Sequence, residues 1–161
     1  MLFRSLARKE GLGVADLECL LNQRSGLLGV SGRSADMREV LAAAPHDTRA
    51  ALAVDMFCYR ARKYIGAYLA ALGGAQAVVF GGGIGENDPL IRQRICEGMD
   101  WCGLALDPAR NESAIGVESR ISRDDTRIQA WVVPVDEAAI MAEAAAECLR
   151  RHRLVESSLG A

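Results

Sequence analysis

Residues 77–90 decide the fold, and they read Ala77-Val78-Val79-Phe80-Gly81-Gly82-Gly83-Ile84-Gly85-Glu86-Asn87-Asp88-Pro89-Leu90. The apolar run at 78–80 is typical of a short strand that is covered on both faces. The glycines that follow let the backbone take positive φ angles and lie close to a ligand. Asp88 and Pro89 are a good N-cap and first residue for a helix. We therefore predict a strand, a glycine-rich turn and a helix, with the turn at the sheet edge where α/β proteins bind ligands.

This glycine-rich turn does not match the common phosphate-binding motifs. A dinucleotide-binding fingerprint would need its third glycine where Glu86 or Asp88 stands, and a P-loop would need a lysine that is not there. The same two carboxylates would repel a phosphate at the helix N-terminus. Bare backbone with Glu86 and Asn87 suits a neutral, hydroxyl-bearing group, such as the ribose and base of a nucleotide. An ordinary strand–helix connection is an equally weighted alternative.

The remaining elements follow from apolar spacing and capping residues. Helices are predicted at residues 14–23, 36–43, 47–72, 89–98 and 137–150, with Ser34 as the candidate N-cap of the second and Asp136 of the last. Short strands are predicted at 103–107, 120–122 and 128–133, and residues 26–32 are read as a short strand or a packed turn. The chain start, residues 1–9, is weakly helical.

The long helix at 47–72 carries a wide apolar stripe, because Leu52, Met56 and Leu69 add to the residues at helical spacing. We expect it to be buried on more than one side. Strands alternating with helices indicate one α/β domain over residues 1–161, of which residues 152–161 are expected to fray.

The net charge and hydropathy of the chain limit the classes of partner that it is expected to bind. Its 161 residues carry a net charge of −2, which gives no electrostatic case for binding nucleic acid or an acidic membrane. There is no run of membrane-spanning length, and the charged N-terminus is unlike a signal peptide. We expect a soluble, cytoplasmic protein.

The five cysteines are odd in number and scattered, without a Cys-x-x-Cys pair. We interpret them as reduced core residues of a cytosolic protein. His46 and His152 lie far apart in the sequence, do not have metal-ligand spacing and are both expected at the surface.

Residues 79–87 resemble the adenosine-binding segment of acetate kinases, which belong to the acetate and sugar kinase/Hsp70/actin superfamily. Four further stretches follow the pattern of that family in the same order, at residues 25–38, 55–60, 63–68 and 94–98. The resemblance runs from about residue 16 to about residue 147. It covers only the C-terminal part of a usual acetate kinase, whose catalytic aspartate, arginines and histidines lie upstream of anything present here.

The resemblance implies a ribonuclease H-like (actin-like ATPase) domain, with a mixed sheet flanked by helices. It also implies the reaction ATP + acetate ⇌ ADP + acetyl phosphate and a homodimer formed through this half. We expect no catalytic residue in this segment and no activity of the chain alone. A non-catalytic nucleotide-binding or dimerisation module, and the corresponding half of a propionate or butyrate kinase, are the alternatives.

The resemblance also implies the site residues. The adenosine pocket would consist of Asp36, Met37, Arg38, Gly83, Ile84, Gly85, Glu86 and Asn87. Asp36 would accept a hydrogen bond from a ribose hydroxyl, and the planar Arg38 would stack on the base or reach a phosphate. Judged without the family, Asp36 and Arg38 would be a solvated pair.

The cofactor implied by the resemblance is Mg2+, with Glu137 as its protein ligand and ATP or ADP as substrate. The family commonly has Asn-Glu-Glu at this point, whereas this chain has Asp136-Glu137-Ala138. Without the family, the two carboxylates would only complement the dipole of the helix that they begin.

Overall fold

The computed structural model describes residues 2–136, 138–139, 141–142, 144–148 and 150. In chain order the elements are α1 (Leu2–Glu10), α2 (Val14–Gln23), α3 (Gly26–Ser31), α4 (Met37–Ala43), α5 (Thr48–Ala71), β1 (Ala77–Phe80), α6 (Gly82–Asn87), α7 (Pro89–Cys96), a 3-10 turn (Asp100–Cys102), α8 (Pro108–Ser113), β2 (Ser119–Arg120) and β3 (Gln129–Val132). The described residues between 138 and 150 are helical. Glu137 and the tail at 152–161 lie outside the described residues.

The three strands form one mixed sheet in the order β1-β3-β2. β1 and β3 are parallel, with Phe80 opposite Val132, and β2 is antiparallel to β3. A mixed sheet flanked by helices confirms the predicted α/β class. Because parallel strands end at the same edge, the chain leaving β1 lies beside the chain leaving β3. A Cβ atom on Gly81 would lie 3.3 Å from Val135 Cγ2, so the two exits are in contact.

The predicted long helix is confirmed as α5, which Asp47 caps by accepting hydrogen bonds from the amides of Arg49 and Ala50. Its buried residues belong to the single core cluster and face α3, α4 and α7. The prediction that α5 is buried on more than one side is wrong for this chain, because Leu52 and Met56 are each about half exposed.

Two predictions are wrong: that β1 is covered on both faces, and that residues 26–32 form a short strand or a packed turn. Val79 is 59% exposed, so β1 is covered on one face instead of two, with Phe80 buried on that face. Residues 26–32 are neither strand nor turn, because they form α3, which turns Leu27 and Val30 onto the core. Gly32 ends this helix with a φ angle of 67°, a conformation in which a side chain would be strained.

The N-cap of α4 and the structure of residues 103–107 also differ from the predictions. Asp36, and not Ser34, is the N-cap of α4, because its carboxylate reaches the amide of Arg38. Residues 103–107 are not a strand: only Leu106 bridges to Ser122, and Asp107 then caps α8. The predicted strand at 120–122 is found as β2, one residue earlier. Among the described helices, none is long and apolar enough to cross a membrane.

Three of the five cysteines are buried free thiols, as expected: Cys58, Cys96 and Cys102. The expectation is wrong for Cys19, which is half-buried, and for Cys148, which is exposed. Burial raises the pKa of the Cys96 thiol to about 12 and raises that of Cys58 as well. His46 lies at the surface, as predicted.

We expect the free energy of unfolding to fall as the pH rises above about 8.5, the ordinary pKa of a cysteine. Above that value the unfolded chain loses the Cys96 proton, whereas the folded chain keeps it to about pH 12, so the unfolded state binds fewer protons. Urea unfolding between about pH 8 and pH 10 would measure the slope. Cys96→Ala should flatten it and Cys148→Ala should not; equal slopes in both variants would contradict this assignment.

We also expect Gly103→Ala to be more destabilising than Gly98→Ala. Both glycines have positive φ angles, of 86° and 72°, so each substitution carries the cost of a left-handed alanine, about 1 kcal/mol. At Gly103 the new Cβ would also lie 2.9 Å from Arg127 Cβ, whereas at Gly98 no atom lies within 4 Å. This overlap should add about 1–3 kcal/mol to the loss in unfolding free energy measured in urea. Equal losses would mean that residues 103 and 127 separate freely.

Candidate functional site

The predicted glycine-rich turn is a short helix, α6, between β1 and α7. Gly81 is extended and Gly82 has a φ angle of 70°, which starts α6 directly after the strand. A Cβ atom on Gly85 would lie 3.3 Å from the carbonyl carbon of Phe80, so the absence of a side chain lets α6 fold back over the strand end. Asp88 then ends α6 and caps α7 by accepting a hydrogen bond from the amide of Ile91, as predicted.

The far end of α6 is held by Arg92, a fully buried arginine of α7. One terminal nitrogen (Nη1) donates to the carbonyls of Gly85 and Glu86, at 2.8 and 3.1 Å. The other (Nη2) donates to the carbonyls of Asn111 and Ala114, both at 2.7 Å. Nε donates to Oδ1 of Asn111 at 2.8 Å, which employs the whole donor set of a guanidinium.

The charge of Arg92 is balanced mainly by backbone dipoles. No carboxylate among the described residues lies within ion-pair distance of it, and burial lowers the pKa of its guanidinium from the usual value. Asn111, itself buried, also donates from Nδ2 to the carbonyl of Pro89 at 2.9 Å. Arg92 and Asn111 thus join α6, α7 and α8 into one hydrogen-bonded unit.

Glu86 and Asn87, the two polar residues predicted to contact the ligand, make different hydrogen bonds. Glu86 Oε1 accepts hydrogen bonds from the amides of Gly82 and Val135, at 2.7 and 2.8 Å. Asn87 is exposed, and its Nδ2 donates to the carbonyl of Gly83 at 3.0 Å. Asn87 is therefore turned along α6 with its amide at the protein surface.

An open cleft of about 450 Å3 lies between α5, β1 and this glycine segment. It is bounded by Phe57, Phe80, Gly81, Gly82, Gly83, Ile84, Gly85, Ile91, Arg92 and Ile95. Its size falls within the range of small-molecule sites. A lining of apolar side chains and glycine backbone suits a flat, neutral group better than a phosphate.

The second predicted segment, at Asp36 to Arg38, is an exposed ion pair on a buried support. Arg38 donates from Nε and Nη2 to the Asp36 carboxylate, at 3.1 and 2.6 Å. The side-chain hydrogen bonds raise the pKa of Arg38 and lower that of Asp36. Met37 is buried between α4 and the core. The cleft beside α6 has no residue of α4 in its lining, so the structure describes the two segments as separate surfaces.

The metal position can be described only in part. Asp136 Oδ1 accepts a hydrogen bond from the amide of Ala139 at 2.9 Å, which is the predicted cap. In the described ranges there is no group of three His, Cys, Asp or Glu residues that could hold a metal ion. Glu137, the predicted ligand, lies outside these ranges.

Sequence reasoning did not predict Arg92, Asn111 or the internal role of Glu86. Arg92 stands between the apolar Ile91 and Ile95 on a short helix, and this is the one sequence signal that could have suggested its burial. The carbonyls that it binds come from two separate segments, residues 85–86 and residues 111–114, and only the folded chain brings them together.

Fold and site together define an α/β protein with a cleft, lined by apolar side chains and glycine backbone, at the carboxyl edge of a mixed sheet. The family model described as "Acetokinase family" matches residues 2–143, and the chain belongs to that family.

Two similar proteins are each longer than this chain. It is 49% identical over 146 residues to an acetate kinase of Solibacter usitatus and 48% identical over 149 residues to one of Chloroherpeton thalassium. These matches cover 89% and 91% of this chain but only 35% and 36% of the relatives. The chain therefore spans about a third of the length of these curated relatives.

Solved structures of related kinases also match most of this chain, and this chain covers little more than a third of each. The crystal structure of Porphyromonas gingivalis acetate kinase matches with a TM-score of 0.83 and 40% identity, over 92% of this chain and 37% of that one. A propionate kinase from Francisella tularensis matches with a TM-score of 0.75 and 33% identity, over 84% of this chain and 34% of that one.

We expect Arg92→Met to lower the free energy of unfolding by about 3–5 kcal/mol, because it leaves buried carbonyls without donors. Arg92→Lys should recover only part of the loss, since an ammonium cannot reproduce the planar fork. Chemical denaturation would measure both. Arg123→Met, at an exposed arginine whose side chain is not in this unit, is the control and should change stability by less than about 0.5 kcal/mol. A loss as small in Arg92→Met would refute a structural role for the buried cation.

Proposed function

We propose that this chain is the C-terminal nucleotide-binding half of an acetate kinase, which catalyses ATP + acetate ⇌ ADP + acetyl phosphate. Family membership supports the reaction class. The observation that carries the proposal is α6, a preformed backbone surface at the sheet edge that is fixed at both ends by charged side chains. A preformed site of this kind does not have to be ordered by its ligand, which favours affinity.

In this proposal the ribose and base contact the backbone from Gly83 to Gly85 and the exposed amide of Asn87. The Asp36–Arg38 pair would contact the nucleotide from the separate surface of α4, to which the buried Met37 anchors it. A ribose hydroxyl would share the Asp36 carboxylate with Arg38, whose side chain is 89% exposed and therefore accessible to a base or phosphate.

Magnesium fits this proposal through Glu137. Mg2+ commonly binds one or two carboxylates together with substrate phosphates and water, so it does not need a cage of protein ligands. In the sequence Glu137 directly follows Asp136, whose carboxylate accepts a hydrogen bond from the amide of Ala139. When bound, the ion would neutralise charge on the phosphates.

Catalysis requires groups that we assign to the rest of the protein. Phosphoryl transfer depends on in-line positioning and on cations that stabilise the transferred group. We assign no catalytic residue to this chain and expect it to be silent alone. Acetate is preferred as substrate because the curated relatives described above are named acetate kinases, and propionate or butyrate remains the alternative.

We further infer a ribonuclease H-like domain that comprises residues 1–161 and a cytoplasmic location, in which the buried thiols stay reduced. A nucleotide-binding or pairing module without catalysis is the second candidate. Co-expression with the upstream part of a related acetate kinase separates the two, because restored acetyl phosphate formation is expected only for a split enzyme.

A homodimer through α5 is part of the proposal. The face of α5 away from the core exposes apolar and aromatic side chains at helical spacing: Leu52, Met56, Tyr59, Tyr64, Tyr68 and Leu72. The rings of Tyr64 and Tyr68 stack with centroids 6.3 Å apart, and the Arg60 guanidinium lies 5.6 Å from the Tyr64 ring centre. Exposed apolar and aromatic side chains grouped on one helix face are typical of an interface.

The chain should bind ADP saturably in calorimetric titration with Mg2+ present. Asn87→Ala and Arg38→Ala should each weaken binding about five- to tenfold, as expected for one lost polar contact. Arg123→Ala, at an exposed arginine outside both segments, is the matched control and should bind like the parent chain. A folded chain that does not bind ADP would refute a self-sufficient nucleotide site.

Sedimentation equilibrium should find a dimer that dissociates in Met56→Glu and in Tyr68→Glu, because each variant would bury an unpaired carboxylate in the interface. Val14→Glu alters an exposed apolar residue on α2, outside the α5 face, and should leave the dimer intact. A monomeric parent chain would instead assign the α5 face to the rest of the protein.

A further inference from the structure

We propose that Glu86 is a positioning residue that fixes the glycine segment to the chain leaving β3, and that it is not a ligand of the nucleotide. This inference rests on the proposed function, in which α6 contacts the nucleotide. It changes the role that the family resemblance implies for Glu86.

The geometry of one carboxylate oxygen carries this inference. Glu86 Oε1 lies 2.7 Å from the amide nitrogen of Gly82 and 2.8 Å from that of Val135. Both hydrogen bonds that the Glu86 side chain makes with described residues end on this oxygen. A carboxylate that accepts two backbone N–H groups is held by charge-assisted bonds, which are about twice as strong as neutral ones.

The two amides lie outside the sheet, one at the start of α6 and the other beyond the end of β3. Gly82 is the first residue of α6, and its amide is one of the donors that a helix leaves without a partner. Val135 is beyond the end of β3, three residues before the described helical residues resume. Since β1 and β3 are parallel, both amides lie at one sheet edge, where a single side chain reaches them.

The backbone of Glu86 is fixed as well. Its carbonyl accepts from Arg92 at 3.1 Å and from the amide of Gly116, also at 3.1 Å. The side chain therefore spans from a rigid point to the start of its own helix and across to Val135. Removing it would release the N-terminal end of α6 from the segment that leads into Asp136 and Glu137.

The substitution Glu86→Gln distinguishes a residue that positions α6 from one that binds the nucleotide directly. The amide oxygen of glutamine can accept both backbone hydrogen bonds, while its NH2 group replaces Oε2 and removes the charge. A residue that only positions α6 should thus tolerate Glu86→Gln, whereas a carboxylate that accepts a nucleotide hydroxyl through Oε2 should not.

The first experiment is ADP titration of the full chain. Glu86→Gln should bind within about threefold of the parent chain, and Glu86→Ala should bind at least about tenfold more weakly. Glu18→Ala, at an exposed glutamate of α2, is the matched control and should have no effect. Equal losses in Glu86→Gln and Glu86→Ala would overturn the inference and make Glu86 a ligand.

The second experiment, amide hydrogen exchange without nucleotide, does not depend on the proposed function. Exchange at Gly82 and Val135 should be at least about tenfold faster in Glu86→Ala than in the parent chain and close to parental in Glu86→Gln. Glu86→Asp, one methylene shorter, should release at least one of the two amides if Glu86→Ala does not fold. Unchanged exchange at both amides would overturn the inference, whereas absent ADP binding with altered exchange would refute only the nucleotide site.

Discussion

The candidate site depends on one buried cation. The guanidinium of Arg92 has its five donors on carbonyls and an amide oxygen from the end of α6, from α8 and from the residue after α8. Burying a charge is costly unless every donor is satisfied, and here the partners come from segments that would otherwise diverge. In the observed arrangement of α6, α7 and α8 every donor of the guanidinium has an acceptor, which offsets the cost of its desolvation.

Glu86 and Arg92 act on opposite ends of the same six-residue helix. Glu86 supplies an acceptor to an amide at the start of α6, and Arg92 supplies donors to carbonyls at its end. These are the groups that a short helix leaves without partners. A helix that contains three glycines has low intrinsic stability, so its order comes from these two side chains and not from its own propensity.

Local signals predicted much of the fold. Asp88 with Pro89, the apolar spacing of residues 47–72 and the apolar runs of β1 and β3 were sufficient, because each acts within a few neighbouring residues. The errors concern context: the exposure of Val79 and Met56 depends on what packs against them, and α3 depends on Leu27 and Val30 reaching the core. For the site, the resemblance indicated segments 36–38 and 83–87, and that assignment stays a prediction. Glu86 and Arg92 acquire their structural roles from residues 49 and up to 22 positions away, which no local pattern reveals.

The position of β1 in the sheet has a further consequence for how the chain behaves at high concentration. Among the described strands β1 is at one end of the order, and its four residues include neither a charge nor a proline. Proteins discourage strand addition with such residues at exposed edges. Without them, the sequence of β1 does not oppose pairing with an extended apolar peptide, and the exposed Val79 lies on this strand. We therefore expect strand addition at this edge to be a route of association at high concentration.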